Sequence, residues 1–194
     1  EFFHGGAGRD TLYVNSLTDG IRVDLTLGSA RVIGAFITVD TISGFEDVIG
    51  GLGDDSIIGN TGNNDLDGSS GRDTIEAGEG ADTITGGSGK DTLVAGDDLA
   101  RDVFVFERAS DFKGGLFGRE TIRQFDLNHD VLDLSFMDAN TVLNGNQAFS
   151  FADRATAFSI WTKPLIGGNI EIRGDVTGDG RADFVFELVD LLQT

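Results

Sequence analysis

Residues 41–94 read TISGFEDVI, GGLGDDSII, GNTGNNDLD, GSSGRDTIE, AGEGADTIT and GGSGKDTLV, six nine-residue units laid end to end. The eighth position of each unit is apolar: Val48, Ile57, Leu66, Ile75, Ile84 and Leu93. The sixth is acidic or an amide: Glu46, Asp55, Asn64, Asp73, Asp82 and Asp91. The fourth is always glycine: Gly44, Gly53, Gly62, Gly71, Gly80 and Gly89. Three registers kept in phase over six units define a repeat. A flexible Gly/Ser/Asp linker has a similar composition, but it does not hold Ile, Leu or Val at a strict period. Nor is GGSGKDT (86–92) a phosphate-binding loop. Ile84 stands where the first glycine belongs, and Asp91 follows Lys90 where Ser or Thr is needed.

The glycine-rich half of each unit turns the chain tightly, and the closing x-apolar-x triplet is a short strand with its central side chain inward. One unit is thus half a coil. Two units complete a coil of eighteen residues, and units two apart stack with their strands in parallel. On one side the acids stack as Asp55, Asp73, Asp91; on the other as Glu46, Asn64, Asp82.

Stacked carboxylates repel unless a cation lies between them. Carboxylate and carbonyl oxygens at a flexible site suit calcium better than magnesium, which demands a stricter octahedron. Soft ligands are missing: there is no cysteine, and the two histidines lie outside the repeat.

The 194 residues suffice for one ordinary domain or two small ones. The formal net charge of −19, from 33 acidic and 14 basic residues, argues against nucleic acid or an anionic membrane as partner. It also predicts self-repulsion in the metal-free chain, and hence coupling of ion binding to folding. There is no apolar run long enough to span a bilayer and no N-terminal signal peptide, so no membrane insertion is expected. The chain opens on Glu1-Phe2 with a repeat already in progress, as expected of a piece of a longer protein whose first two residues are a cloning remnant.

Residues 5–13, GGAGRDTLY, form an isolated unit with Asp10 at the acid position and Leu12 inward. Ile21, Val23, Leu25 and Leu27 then alternate with polar residues. With a Gly28-Ser29 turn and a return strand over 31–39, they read as a hairpin covering the open end of the coil stack. After 94 the repeat decays. AGDDLARDVFVF (95–106) fits it with two residues inserted, which puts Asp102 at the acid position and Phe104 inward, with Asp97 and Asp98 as competitors. From 103 onward glycine thins and phenylalanine rises. Seven strands are expected, at 103–107, 120–126, 131–135, 148–151, 158–162, 169–173 and 183–188. Turns such as Asn128-His129, Asn144-Gly145 and Gly167-Gly168 separate most of them, and an antiparallel sheet packed on the roll is expected. Its aromatic residues read as core; Trp161 would serve as a carbohydrate-stacking platform only if exposed.

The repeats resemble the RTX (repeats-in-toxin) calcium-binding β-roll. ETIRQFDLNHDVLDLS (120–135) and GDVTGDGRADFVFEL (174–188) look like the C-terminal domain of serralysin-type secreted metalloproteases. The resemblance implies a secreted protein, extracellular or on the cell surface of a Gram-negative bacterium. It also implies passage through the type I secretion machinery, with folding outside, where calcium is plentiful. This chain departs from the pattern at several places. Asn64 replaces Asp, Asn60 and Ser69 replace second glycines, and Ala77 replaces a first one. Gln124 stands where the tail usually has Asp, which puts a family calcium site near Asp130 in doubt.

Catalysis leaves little trace. His4 and His129 are 125 positions apart, and neither an H-E-x-x-H helix nor a G-x-S-x-G elbow is present. Asp175-x-Thr177-x-Asp179-Gly180-x-x-Asp183 opens like an EF-hand loop, but Phe186 replaces the closing Glu, so a tight hairpin is the better reading.

The fold expected is all-β: a right-handed parallel β-roll of nonapeptide repeats with an N-terminal hairpin insertion and an antiparallel β C-terminal cap. Its segments are 1–40 (isolated repeat plus capping hairpin), 41–103 (roll) and 104–194 (cap), which one continuous domain would also accommodate. The expected ligand set is Asp10, Glu46, Asp55, Asn64, Asp73, Asp82, Asp91 and Asp102, with Gly51, Gly53, Gly62, Gly68, Gly71, Gly78, Gly80, Gly87 and Gly89. It would hold roughly four to six Ca2+ ions, bound singly at about 10⁻⁴ to 10⁻³ M. The expected function is that of a non-catalytic calcium-binding module. The alternatives are a module binding anionic or neutral polysaccharide or a cell-surface partner, through Arg22, Arg31, Lys163 and Trp161, and the tail of a secreted metalloprotease with its active site upstream.

Overall fold

The computed structural model describes residues 2–14, 18–33, 39–108, 119–141 and 147–192. The Asn144-Gly145 turn and most of the expected return strand at 31–39 lie outside them. Apart from one 3-10 turn at Ile166–Gly168, the described residues form strands and turns, and no helix among them is long and apolar enough to cross a membrane.

The six units each yield the expected three-residue strand. On one side lie β7 (Ser56–Ile58), β10 (Thr74–Glu76) and β13 (Thr92–Val94), paired in parallel with Ile57, Ile75 and Leu93 in register. On the other lie β6 (Asp47–Ile49), β8 (Asp65–Asp67) and β11 (Thr83–Thr85), with Val48, Leu66 and Ile84 in register. These six inward side chains are fully buried and form the core between the two sheets. The turns also stack: β9 (Ser70–Gly71) pairs with β12 (Ser88–Gly89). Only glycine fits there. Gly71 and Gly89 have φ of 135° and 155°, and a side chain on Gly89 would collide with the Gly71 carbonyl one coil below.

At the N-terminal end, β2 (Thr11–Tyr13) joins β6 in parallel, as the isolated unit requires. β1 (Phe2–His4) pairs in parallel with β5 (Asp40–Ser43). The hairpin forms from β3 (Ile21–Asp24) and β4 (Ser29–Val32). β3 pairs with β7 and β4 with β5, so the hairpin is spliced into the sheet with β5 and β1 beyond it. Its alternating pattern makes a good strand pair but does not say which edge that pair will join.

The C-terminal half departs from expectation in its pairing. β14 (Val103–Val105), β15 (Glu120–Arg123) and β16 (Val131–Asp133) are not antiparallel; they continue the parallel ladders behind β11, β13 and β14. Each keeps the acid-x-apolar triplet of the repeat, at Asp102-x-Phe104, Glu120-x-Ile122 and Asp130-x-Leu132. The antiparallel cap is confined to β18 (Ser159–Pro164), β19 (Ile170–Gly174) and β20 (Phe184–Val189), with the two-residue β17 (Ser150–Phe151) parallel at its edge. Phe104, Phe106, Phe184 and Phe186 fill the junction, and the Phe106 and Phe186 rings stack at 4.8 Å.

Candidate metal centre

The acid of each unit closes its turn and faces the coils above and below. Along one side the backbone N–H of Ile21 donates to Asp55 Oδ1 at 2.9 Å, that of Asp55 to Asp73 Oδ1 at 2.8 Å, and that of Asp73 to Asp91 Oδ1 at 2.8 Å. The pairing of Thr92 with Thr121 places Glu120 next in this file. Along the other side Asp10 N–H donates to Glu46 Oε2 at 2.9 Å, and Asn64 N–H to Asp82 Oδ1 at 2.8 Å. Asp82 and Asp102 donate likewise to Asp102 (2.9 Å) and Asp130 (3.0 Å). The two files are therefore the predicted ones, lengthened by Glu120 and Asp130. Asp102 takes the predicted place. Asp98 sits beside it and accepts Gly80 N–H, while Asp97 is exposed.

The second carboxylate oxygen distinguishes the turns. Asp55 Oδ2 accepts the Gly51 N–H at 2.7 Å. The Oδ2 atoms of Asp10, Asp73 and Asp82 are buried with no hydrogen-bond partner. A buried carboxylate oxygen without a donor is costly unless a cation or proton meets it. Beside Asp73 the space is kept clear by glycine. A methyl group on Gly68 would stand 2.5 Å from Asp73 Oδ2 and 2.8 Å from the carbonyl oxygen of Gly86 in the next coil. Gly50 and Gly86 occupy equivalent places, next to Asp55 and Asp91. The carbonyls of Gly53, Gly62, Gly71 and Gly78 each face a glycine one coil on. The Gly51 carbonyl accepts the Ser70 N–H from the next coil.

Burial pushes the Asp73 carboxyl up to about 8; the Asp55 N–H bond opposes the rise, and the charges of Asp91 and Asp55 add to it. Burial likewise raises Asp102 to about 7 and Asp82 to about 6. Oxygen-only lining, clustered negative charge and glycine-cleared space fit a hard divalent cation. Among the described residues no three His, Asp or Glu side chains converge, so backbone carbonyls must complete any such site.

Other candidates are accounted for locally. His4 Nδ1 meets the Ser43 hydroxyl at 2.8 Å and His129 Nδ1 meets Asp126 Oδ2 at 2.9 Å, in different parts of the fold. The 175–183 loop is a hairpin between β19 and β20. Asp175 accepts the N–H groups of Thr177, Gly178 and Gly180, and Asp183 those of Val176 and Thr177. Trp161 is only 8 % exposed and offers no stacking platform. Arg119, Arg173 and Lys163 gather on the buried Glu171.

This fold is a parallel β-roll whose turns gather carboxylate and carbonyl oxygens. The family model of the RTX calcium-binding nonapeptide repeat matches in four copies, over residues 1–19, 40–75 and 67–98. Among solved structures it is similar to AlgE6R2, a subunit of the Azotobacter vinelandii mannuronan C5-epimerase, with 20% identity, 73% of this chain and 83% of that chain covered, and a TM-score of 0.53. AlgE6R3 of the same epimerase matches at 21% identity over 73% and 68%, with a TM-score of 0.44. Among curated proteins none matches this chain.

Proposed function

We propose that this chain is a non-catalytic extracellular module that folds when calcium binds. The observation that carries the reading is the pair of carboxylate files, with Asp73 Oδ2 and Asp82 Oδ2 buried and undonated, and with Gly68 keeping the space beside Asp73 clear. When bound, calcium supplies positive charge between stacked turns. Asp55, Asp73 and Asp91 would hold it on one side, and Asp82, Asp102 and Asp130 on the other, with turn carbonyls completing the set and roughly four to six ions in all. Without the ion the same files concentrate like charge in a low-dielectric interior, which opposes closure of the coils.

This supports a chain that stays open where calcium is scarce and closes where it is plentiful, in keeping with type I export from a Gram-negative cell. A polysaccharide role, by analogy with the epimerase neighbours, has less support, because Trp161 is buried and Arg119, Arg173 and Lys163 surround Glu171. Far-UV circular dichroism during a calcium titration tests the reading, with a magnesium control and reversal by chelator. A cooperative gain of β structure with calcium alone is expected. A chain fully folded in chelator and unmoved by calcium would reject it.

A further inference from the structure

We propose that Asn64 takes the place of a metal ion, so that the rung between Glu46 and Asn64 is closed by the protein's own donors while its neighbours in the file remain open to calcium. The inference rests on the calcium-binding reading above and concerns one position within it.

Glu46, Asp55, Asp73, Asp82, Asp91, Asp102 and Asp130 each accept a backbone N–H from the coil before. At Asn64 the polarity is reversed. Its Nδ2 donates to the carbonyl of Glu46 at 2.6 Å, and its Oδ1 accepts the Asn60 N–H at 2.8 Å. The reversal follows from the preceding coil, because the Glu46 and Asp47 N–H groups are both given to the Asp10 carbonyl. The oxygen of Glu46 is what faces Asn64, and a carboxylate in its place would set oxygen against oxygen. An amide nitrogen satisfies that carbonyl where a cation would otherwise be required.

A cation of the protein's own also spans the same rung. The Arg9 guanidinium binds Asp47 at 2.9 and 2.6 Å and the Asn63 carbonyl at 3.1 Å, linking three successive coils. Asn60, which replaces a repeat glycine, belongs to the same network: its Oδ1 accepts the Gly62 N–H at 2.7 Å and lies 3.5 Å from Asn64 Nδ2. The two departures from the repeat in this unit thus act together.

The test is to count bound calcium ions by native mass spectrometry in the wild-type protein and in Asn64→Asp. One additional ion is expected in the variant, held between the new carboxylate and the Glu46 carbonyl. An unchanged count in a calcium-binding wild type overturns the assignment of Asn64, whereas a wild type that binds no calcium sinks the module reading itself. Should Asn64→Asp not fold, hydrogen exchange of the Asn64 side-chain amide in the calcium-loaded wild type decides. Slow exchange supports the bond to Glu46; exchange as fast as that of an exposed amide overturns it.

Discussion

The N–H of Asp55 donates to Asp73 Oδ1 across one coil at 2.8 Å, while the other oxygen of the same carboxylate is buried without a donor. One side chain therefore does two separable jobs, fastening the coil before it and presenting charge to the coil after it. Asp73→Asn separates them. The amide oxygen keeps the Asp55 bond, and the charge is lost. Calcium titrations of the variant should show a midpoint raised roughly tenfold. Its metal-free form should gain β structure relative to wild type in chelator. An unchanged calcium midpoint would count against Asp73 as a ligand.

The raised carboxyls set a pH dependence. Asp73, Asp102 and Asp82, near 8, 7 and 6, bind protons more tightly in the closed coils than an ordinary carboxyl does. Protons therefore favour the metal-free fold. That contribution is fully present below about pH 4 and is lost as pH rises through 6 to 8. In chelator, any residual β structure should fall across this window. With calcium, which competes with the same protons, apparent affinity should climb over it. An apparent calcium affinity that falls from pH 6 to 8 would contradict the burial of these groups.

Ser69 occupies a second-glycine position and takes φ of +67°. A non-glycine residue there carries roughly 1 kcal/mol of strain. Ser69→Gly should raise stability in calcium by about that amount, less the entropy glycine returns to the unfolded chain. Gly89→Ala, by contrast, should prevent stacking of the 68–71 and 86–89 turns, seen as loss of the calcium-induced transition.

Ile75 is fully buried between Ile57 and Leu93 in the ladder. Ile75→Ala should cost about 2–5 kcal/mol in calcium, read by thermal or urea unfolding. A smaller loss would mean that the inward file can collapse around the gap.

What the residues disclosed and what they hid follow from spacing. Between 41 and 94 the period of nine is unbroken, so strands, register and acid files were legible. Asp102 was still recoverable, because only two residues are inserted before it. Glu120 was not, and Asp130 was reached only through the family resemblance, because the intervals from Asp91 and Asp102 no longer follow the repeat, although Glu120-x-Ile122 and Asp130-x-Leu132 keep its triplet. The hairpin was visible as alternation, but its edge partners depend on packing that one chain segment does not encode. The reversed bond of Asn64 was hidden for a different reason. The substitution is plain in the sequence, but its partner depends on where the Glu46 N–H has already gone.

The direction of the carboxylate bonds makes the two ends of the roll unequal. Because each acid takes its N–H from the coil before it, trimming coils from the C-terminal side bares backbone donors that water can satisfy. Trimming from the N-terminal side strips buried carboxylates such as Asp73 and Asp91 of the N–H that they accept from the coil before. The molecule behaves like a filament with distinct leading and trailing ends: a shortened version begun later in the chain should tolerate its cut less well than one ended earlier.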